Sequence, residues 1–174
     1  MNIYLVGYSY GGKTTLGKQL AQRLGYAFFD TDKAIELKYH VTIPIFFKHY
    51  GEQAFRIIER QILHSTADLD NTVIATGGGL PCQGDNMDFI LAHGTAVYTQ
   101  MTVDDVMERL TWARRSRPLL IDKSDDERRQ YIAEQLTIRD PYYRRAPLTL
   151  PAANANVDEL FRLVTAAGIT SLNI

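Results

Sequence analysis

Gly7-Tyr8-Ser9-Tyr10-Gly11-Gly12-Lys13-Thr14 spells G-x-x-x-x-G-K-T directly after a short apolar run and at the head of a helical pattern. That spacing makes a phosphate cradle, because glycines free consecutive backbone amides to wrap an anion. The helix N-terminus adds about half a positive charge. In such a loop Lys13 reaches the β- and γ-phosphates and the Thr14 hydroxyl ligates Mg²⁺. The nucleotide is expected on Tyr10, Gly11, Gly12, Lys13, Thr14 and Thr15, with the bulky Tyr10 serving through its backbone. The loop names a nucleotide without naming a reaction.

Two further stretches bear on the acceptor. The second apolar run ends Phe28-Phe29-Asp30-Thr31-Asp32, and carboxylates two residues apart in extended chain point the same way. Strand C-termini are where ligands collect in such sheets. Asp30 is expected to hold Mg²⁺ through water, and Asp32 to accept a hydrogen bond from an acceptor hydroxyl and take its proton. The competing reading of Asp32 is an N-cap for a helix starting at Lys33. The third run, Thr72 to Ala75, continues as Thr76-Gly77-Gly78-Gly79 where a general P-loop NTPase would place an acid. That leaves Asp30 as the metal partner, and makes the glycines either a nest of amides or a bare tight turn.

These residues must be positioned by an α/β scaffold. Runs at Asn2 to Val6, Ala27 to Phe29, Thr72 to Ala75, Thr95 to Met101 and Leu148 to Leu150 alternate with segments of helical period, the pattern of a mainly parallel sheet. Leu16, Leu20 and Leu24 form one stripe ending at Gly25. Capping signals at Thr102 to Asp105, Ser124 to Glu127 and Asn156 to Glu159 predict helices over 103–113, 125–139 and 157–167, closed by Pro141 and Gly168 in the last two cases. Between Ile35 and Ser65 the pattern predicts two helices with no strand, divided near Tyr50-Gly51, an insert suited to gripping a substrate. No repeat or linker divides the chain.

The chain has 174 residues, 45% of them apolar, a formal charge of −1 and one cysteine, Cys82. One core is expected, burying roughly 70% of the unfolded surface. A lone thiol suits a reducing cytoplasm, and the expectation is a cytoplasmic protein with no secretory signal and no membrane span. Near-neutral charge argues against a nucleic-acid partner. Locally, Arg109 to Arg145 holds nine of the thirteen arginines plus Lys123 against six acids, or +4, leaving −5 for the remainder. A concentrated basic surface suits an anionic ligand. His40, His49, His64 and His93 show no metal-ligand spacing, and Cys82 reads as inert.

Taken in order, G-x-x-x-x-G-K-T, Phe29-Asp30-Thr31-Asp32, Gly51-Glu52-Gln53-Ala54-Phe55-Arg56, Gly77-Gly78-Gly79, Arg117-Pro118-Leu119-Leu120 and Arg139-x-Pro141-x-Tyr143 resemble the shikimate kinase family, from about residue 3 to 147. The resemblance implies a three-layer αβα P-loop fold with a five-stranded parallel sheet, and ATP with Mg²⁺ phosphorylating the 3-hydroxyl of shikimate. It also implies one domain over 1–174, with the P-loop at 7–14, a substrate-binding helical segment at 32–66, a mobile lid at about 112–124 and an adenine loop at about 151–156. By position, Asp32, Arg56, Gly77, Gly78, Gly79 and Arg139 bind shikimate, Arg117 comes from the lid to act with Lys13 and Asp32 in catalysis and on the nucleotide, and Thr14 and Asp30 hold the metal. Guanidinium forks suit a carboxylate in a way that Lys does not. Where family members carry an adenine-facing Arg, this chain has Leu110, with Arg109 beside it; Asn154 and Asn156 are the adenine-loop candidates. A monomer is expected. The remaining readings are a gluconate or nucleoside-monophosphate kinase, and a regulatory nucleotide-binding module without catalysis.

Overall fold

The computed structural model describes residues 1–112, 120 and 123–169. Strands β1 (Asn2–Val6), β2 (Ala27–Asp30), β3 (Thr72–Ala75), β4 (Gly94–Gln100) and β5 (Leu148–Pro151) pair in parallel into one sheet ordered β2-β3-β1-β4-β5. β1 lies in the middle with all five residues buried, as a near-continuous apolar run requires when helices cover both faces. Its register sets Leu5 beside Ala75 and Val97.

Helices α1 (Lys13–Leu24), α2 (Thr31–Tyr39), α3 (Ile43–His64), α4 (Asn86–His93), α5 (Val103–Trp112), α6 (Asp125–Tyr143) and α7 (Val157–Ala166) make the outer layers. Alternation along β1 divides the core between two faces. Ile3 and Leu5 meet Leu16 and Leu20 of α1 and Leu160 and Val164 of α7. Tyr4 and Val6 meet Leu63 of α3, Ile90 of α4, Val106 of α5 and Ile132 and Tyr143 of α6. Each aliphatic side chain so buried contributes about 1.5 to 3 kcal/mol.

The helical insert is divided at Gly51 as expected: φ 77 and ψ 175 are non-helical, so α3 consists of two helical arms across a kink. A second division, which the pattern did not show, falls at residues 40–42, where His40 adopts φ 55 and closes α2. Phe46 before the bend and Phe55 after it enter one satellite core with Ile35 and Ile62, which holds the two arms of α3 together.

Three other features depart from the sequence reading: one helix end, one helix and one cap. Pro141 does not close α6, which runs on to Tyr143. A proline removes a single i→i−4 bond, and here the last turn is held from outside: Tyr143 is buried against Tyr98, with ring centroids 5.2 Å apart, and Tyr98 donates to Asp140 at 2.7 Å. Helix α4 has no counterpart in the periodicity, because eight residues after Gly84-Asp85 carry too short a pattern. Of the three capping signals, Ser124–Glu127 and Thr102–Asp105 are reciprocal boxes, whereas Asn156 accepts from the Glu159 amide without a return bond. Among the described residues, no helix is long and apolar enough to cross a membrane.

Candidate active site

β1 and β3 are neighbours whose connections leave in opposite directions, so a crevice opens at their C-terminal ends. A cleft of about 300 Å³ lies there, lined by the loop from Ser9 to Thr15 together with Asp30, Asp32, Thr76 and Gly78. The residues that the motif assigned to phosphate and the carboxylates assigned to metal and acceptor therefore share one cavity.

The phosphate side is built around Lys13. Its side chain is turned back into the loop, and Nζ donates to the carbonyls of Gly7 and Tyr8 at 2.8 Å each. β4 supports the loop from below: a Cβ on Gly7, whose φ is 141, would lie 2.6 Å from Thr99 Oγ1 and 2.7 Å from the Thr99 carbonyl oxygen. Only glycine fits that approach. Arg109 donates from Nη1 to the Tyr10 carbonyl at 2.8 Å, which assigns it to bracing the loop. Tyr10 has φ 68, an uncommon conformation for a residue with a side chain.

Thr14 Oγ1 donates to Asp30 Oδ2 at 2.6 Å, and Asp30 Oδ1 caps α2 by accepting from the Lys33 amide at 3.0 Å. The N-cap is thus Asp30, not Asp32. The idea that both carboxylates project from extended chain is also corrected, since α2 begins at Thr31 and Asp32 stands in its first turn. Both nevertheless line the cleft, Asp30 through its place at the end of β2 and Asp32 through the turn of helix that follows.

The acceptor side is a cluster of opposed charges. Arg56 Nη1 donates to Glu59 Oε2 at 2.7 Å, while its Nη2 and Nε reach Glu52 Oε1 at 3.1 and 3.3 Å. The guanidinium lies against Gly79, where a Cβ would be 2.7 Å from Nη1. Glu59 is 1% exposed; burial pushes its carboxyl up and Arg56 pulls it back, leaving it at about 7, with Asp32 raising it and Arg139 lowering it. A Cβ on Gly77 would meet both Asp32 Oδ1 at 2.6 Å and Glu59 Oε1 at 3.0 Å. Arg139 is half-buried, with its guanidinium carbon 5.4 Å from the centre of the Tyr8 ring.

The glycine stretch is pinned on both sides. The Gly77 amide donates to Thr31 Oγ1 at 2.9 Å, so that amide is already engaged and cannot join a nest with its neighbours. Tyr143 donates from its hydroxyl to the Gly78 carbonyl. Cys82, next along, is pushed up to about 11 by burial, which leaves its thiol protonated and unreactive at neutral pH. His64 and His93 stack on Phe89, a packing role.

Glu59, Thr99 and Tyr143 were not assigned from sequence. Glu59 carried a signal, standing one helical turn after Arg56; the other two act through pairing that only the fold creates. Arg117 and residues 113–119 and 121–122 of the lid lie outside the described residues. Between them, Leu120 is buried and its carbonyl accepts from Arg128 Nε at 2.9 Å.

A protein-family model for shikimate kinase matches residues 11–167. The shikimate kinase of Parabacteroides distasonis is 45% identical over 150 residues, covering 86% of this chain and 87% of that protein. The chain belongs to the shikimate kinase family. Other shikimate kinases agree in sequence and in structure. That of Bacteroides thetaiotaomicron is 41% identical over 160 residues, covering 92% of this chain and 89% of the relative. The crystal structure of shikimate kinase from the same species superposes with a TM-score of 0.90 at 38% identity, covering 97% of this chain and 98% of the other. Shikimate kinase from Acinetobacter baumannii in complex with shikimate gives 0.84 at 36%, covering 97% and 95%. A gluconokinase from Sinorhizobium meliloti, at 0.60 and 16% identity over 95% of this chain and 89% of the other, shares the fold alone. This shikimate kinase family member is therefore a kinase phosphorylating shikimate, with ATP as the co-substrate that its family implies.

Proposed function

We propose that the chain transfers the γ-phosphoryl group of ATP to the 3-hydroxyl of shikimate, releasing shikimate 3-phosphate and ADP, with the roles divided as follows. The observation that supports this division is the shared cleft, in which Lys13 and the P-loop face Asp32 and Gly78. The loop amides and Lys13 bind the β- and γ-phosphates. Arg56 and Arg139 take the substrate carboxylate. Glu52 is an exposed partner for the Nε and Nη2 edge of Arg56, so a substrate carboxylate displaces it at little cost, while buried Glu59 keeps Nη1 in place. Arg56 is thereby presented as a fork.

Asp32 accepts the hydrogen bond from the acceptor hydroxyl. As the new O–P bond forms and the bond to the ADP oxygen breaks, the hydroxyl proton passes to Asp32. Phosphoryl transfer depends mainly on alignment and charge neutralisation, and Arg117 keeps the neutralising role that the family resemblance implies for it.

The Thr14 hydroxyl and the Asp30 carboxylate, 2.6 Å apart, are hard oxygen donors of the kind Mg²⁺ takes when phosphates complete its shell. When bound, the ion supplies charge neutralisation on the phosphates. We place the protein in the cytoplasm, a reading supported by its single thiol, and read it as a monomer from its size as one domain of 174 residues. Coupled ADP-release assays with shikimate, gluconate and nucleoside monophosphates test the assignment: turnover is expected with shikimate only, and turnover driven by gluconate would move the chain to the alternative kinase class.

A further inference from the structure

Ser9 occupies one of the variable positions of the P-loop and lines the same cleft as Asp32 and Gly78. It is 6% exposed, and its Oγ is sealed from solvent with no hydrogen-bond partner. The loop itself has no use for that hydroxyl. Lys13 is held by the Gly7 and Tyr8 carbonyls, the Gly11 amide donates to the Tyr8 carbonyl at 3.3 Å, and the Tyr10 carbonyl is taken by Arg109. A buried hydroxyl without a partner lowers stability, so packing alone favours alanine here. The hydroxyl is packed against the acceptor half of the cleft: a Cβ on Gly78 would lie 2.9 Å from Ser9 Oγ and 3.1 Å from the Ser9 nitrogen.

We propose that Ser9 is a positioning and specificity residue for the acceptor, its hydroxyl hydrogen-bonding a ring hydroxyl that does not receive the phosphoryl group. The inference rests on the acceptor reading given above. Because Ser9 lines the cleft, Oγ needs only to turn about its one side-chain bond from Gly78 toward the acceptor. Bound acceptor then supplies the missing partner. A hydroxyl answered by a hydroxyl discriminates against acceptors that carry hydrogen at that ring position, because the serine would again be buried unpaired. The contact is present in the ground state as well as during transfer, so its loss falls on binding rather than on turnover.

Ser9→Ala tests this, with activity of the parent on ATP and shikimate as the control for the acceptor reading itself. The variant is expected to show a KM and calorimetric Kd for shikimate raised roughly three- to tenfold, with kcat and the KM for ATP within about twofold of the parent. Its melting temperature without ligands should equal or exceed that of the parent. Among shikimate analogues each lacking one non-transferred hydroxyl, one should bind parent and Ser9→Ala equally. Unchanged shikimate affinity overturns the proposal, as does a fall in unliganded stability, which would make Ser9 a structural residue. A parent inactive on shikimate would instead overturn the acceptor reading.

Discussion

The ammonium of Lys13 donates to two carbonyls of its own loop, at 2.8 Å each, so its charge is already held at the floor of the phosphate site. Lys13→Ala is expected to reduce turnover by on the order of a thousandfold while leaving the far-ultraviolet circular dichroism unchanged. Turnover near that of the parent would remove Lys13 from the phosphate site. Glu59 behaves differently. Its carboxyl titrates at about 7 in the fold, above its ordinary 4.5. A raised value means the folded state holds a proton that the unfolded chain has lost. The contribution to stability is thus full below about 4.5 and disappears as pH rises through 7. Glu59→Gln, which cannot titrate, should flatten the fall in denaturation free energy between pH 5 and 8. The groups facing Glu59 are Arg56, Asp32, Arg139 and Cys82, of which none ordinarily titrates in that window. A variant slope equal to the parent's would assign the pH dependence elsewhere.

Helix α3 depends on one backbone conformation. Gly51 has φ 77, and a Cβ there would meet nothing within 4 Å, so alanine would be penalised by its backbone and not by collision. Gly51→Ala should lower stability by about 1 to 2 kcal/mol in urea titration. Because the arm after the bend carries Arg56 and Glu59, the same change should raise the KM for shikimate more than that for ATP. Equal midpoints for variant and parent would show that the bend is set by the packing of Phe46 and Phe55 instead.

The two ligand halves belong to different parts of the architecture. β1 and α1 hold the phosphates, while α2, α3 and the end of α6 hold the acceptor cluster, and the sheet joins them. Ligand at a hundred times its Kd stabilises the native state by about 2.7 kcal/mol, which for a chain of this length corresponds to roughly 5 to 10 °C. Arg56→Ala should remove most of the shift produced by shikimate and leave the shift produced by ATP intact. Loss of both shifts would contradict the division between the two halves.

Much of this arrangement was legible in the residues themselves. Strand and helix identity followed from hydrophobic period, the phosphate loop from four fixed positions beside a helix, and the substrate class from the resemblance carried by the ordered motifs. Such features are local, and local sterics and hydrogen bonding decide them. Pro141 misled because its cost is local, whereas the contacts of Tyr98, Asp140 and Tyr143 that outweigh it come from strands and loops far along the chain. Asp30 and Asp32 were read in extended chain because neither residue reveals that α2 starts between them. The burial that lifts Glu59, the approach of Thr99 that admits only glycine at position 7, and the unpartnered hydroxyl of Ser9 depend on which atoms surround a group, not on its neighbours in sequence. Side-chain chemistry and spacing determined what the site is made of; packing across the sheet decided which charges are paired, which protons are held and which polar atoms still lack a partner.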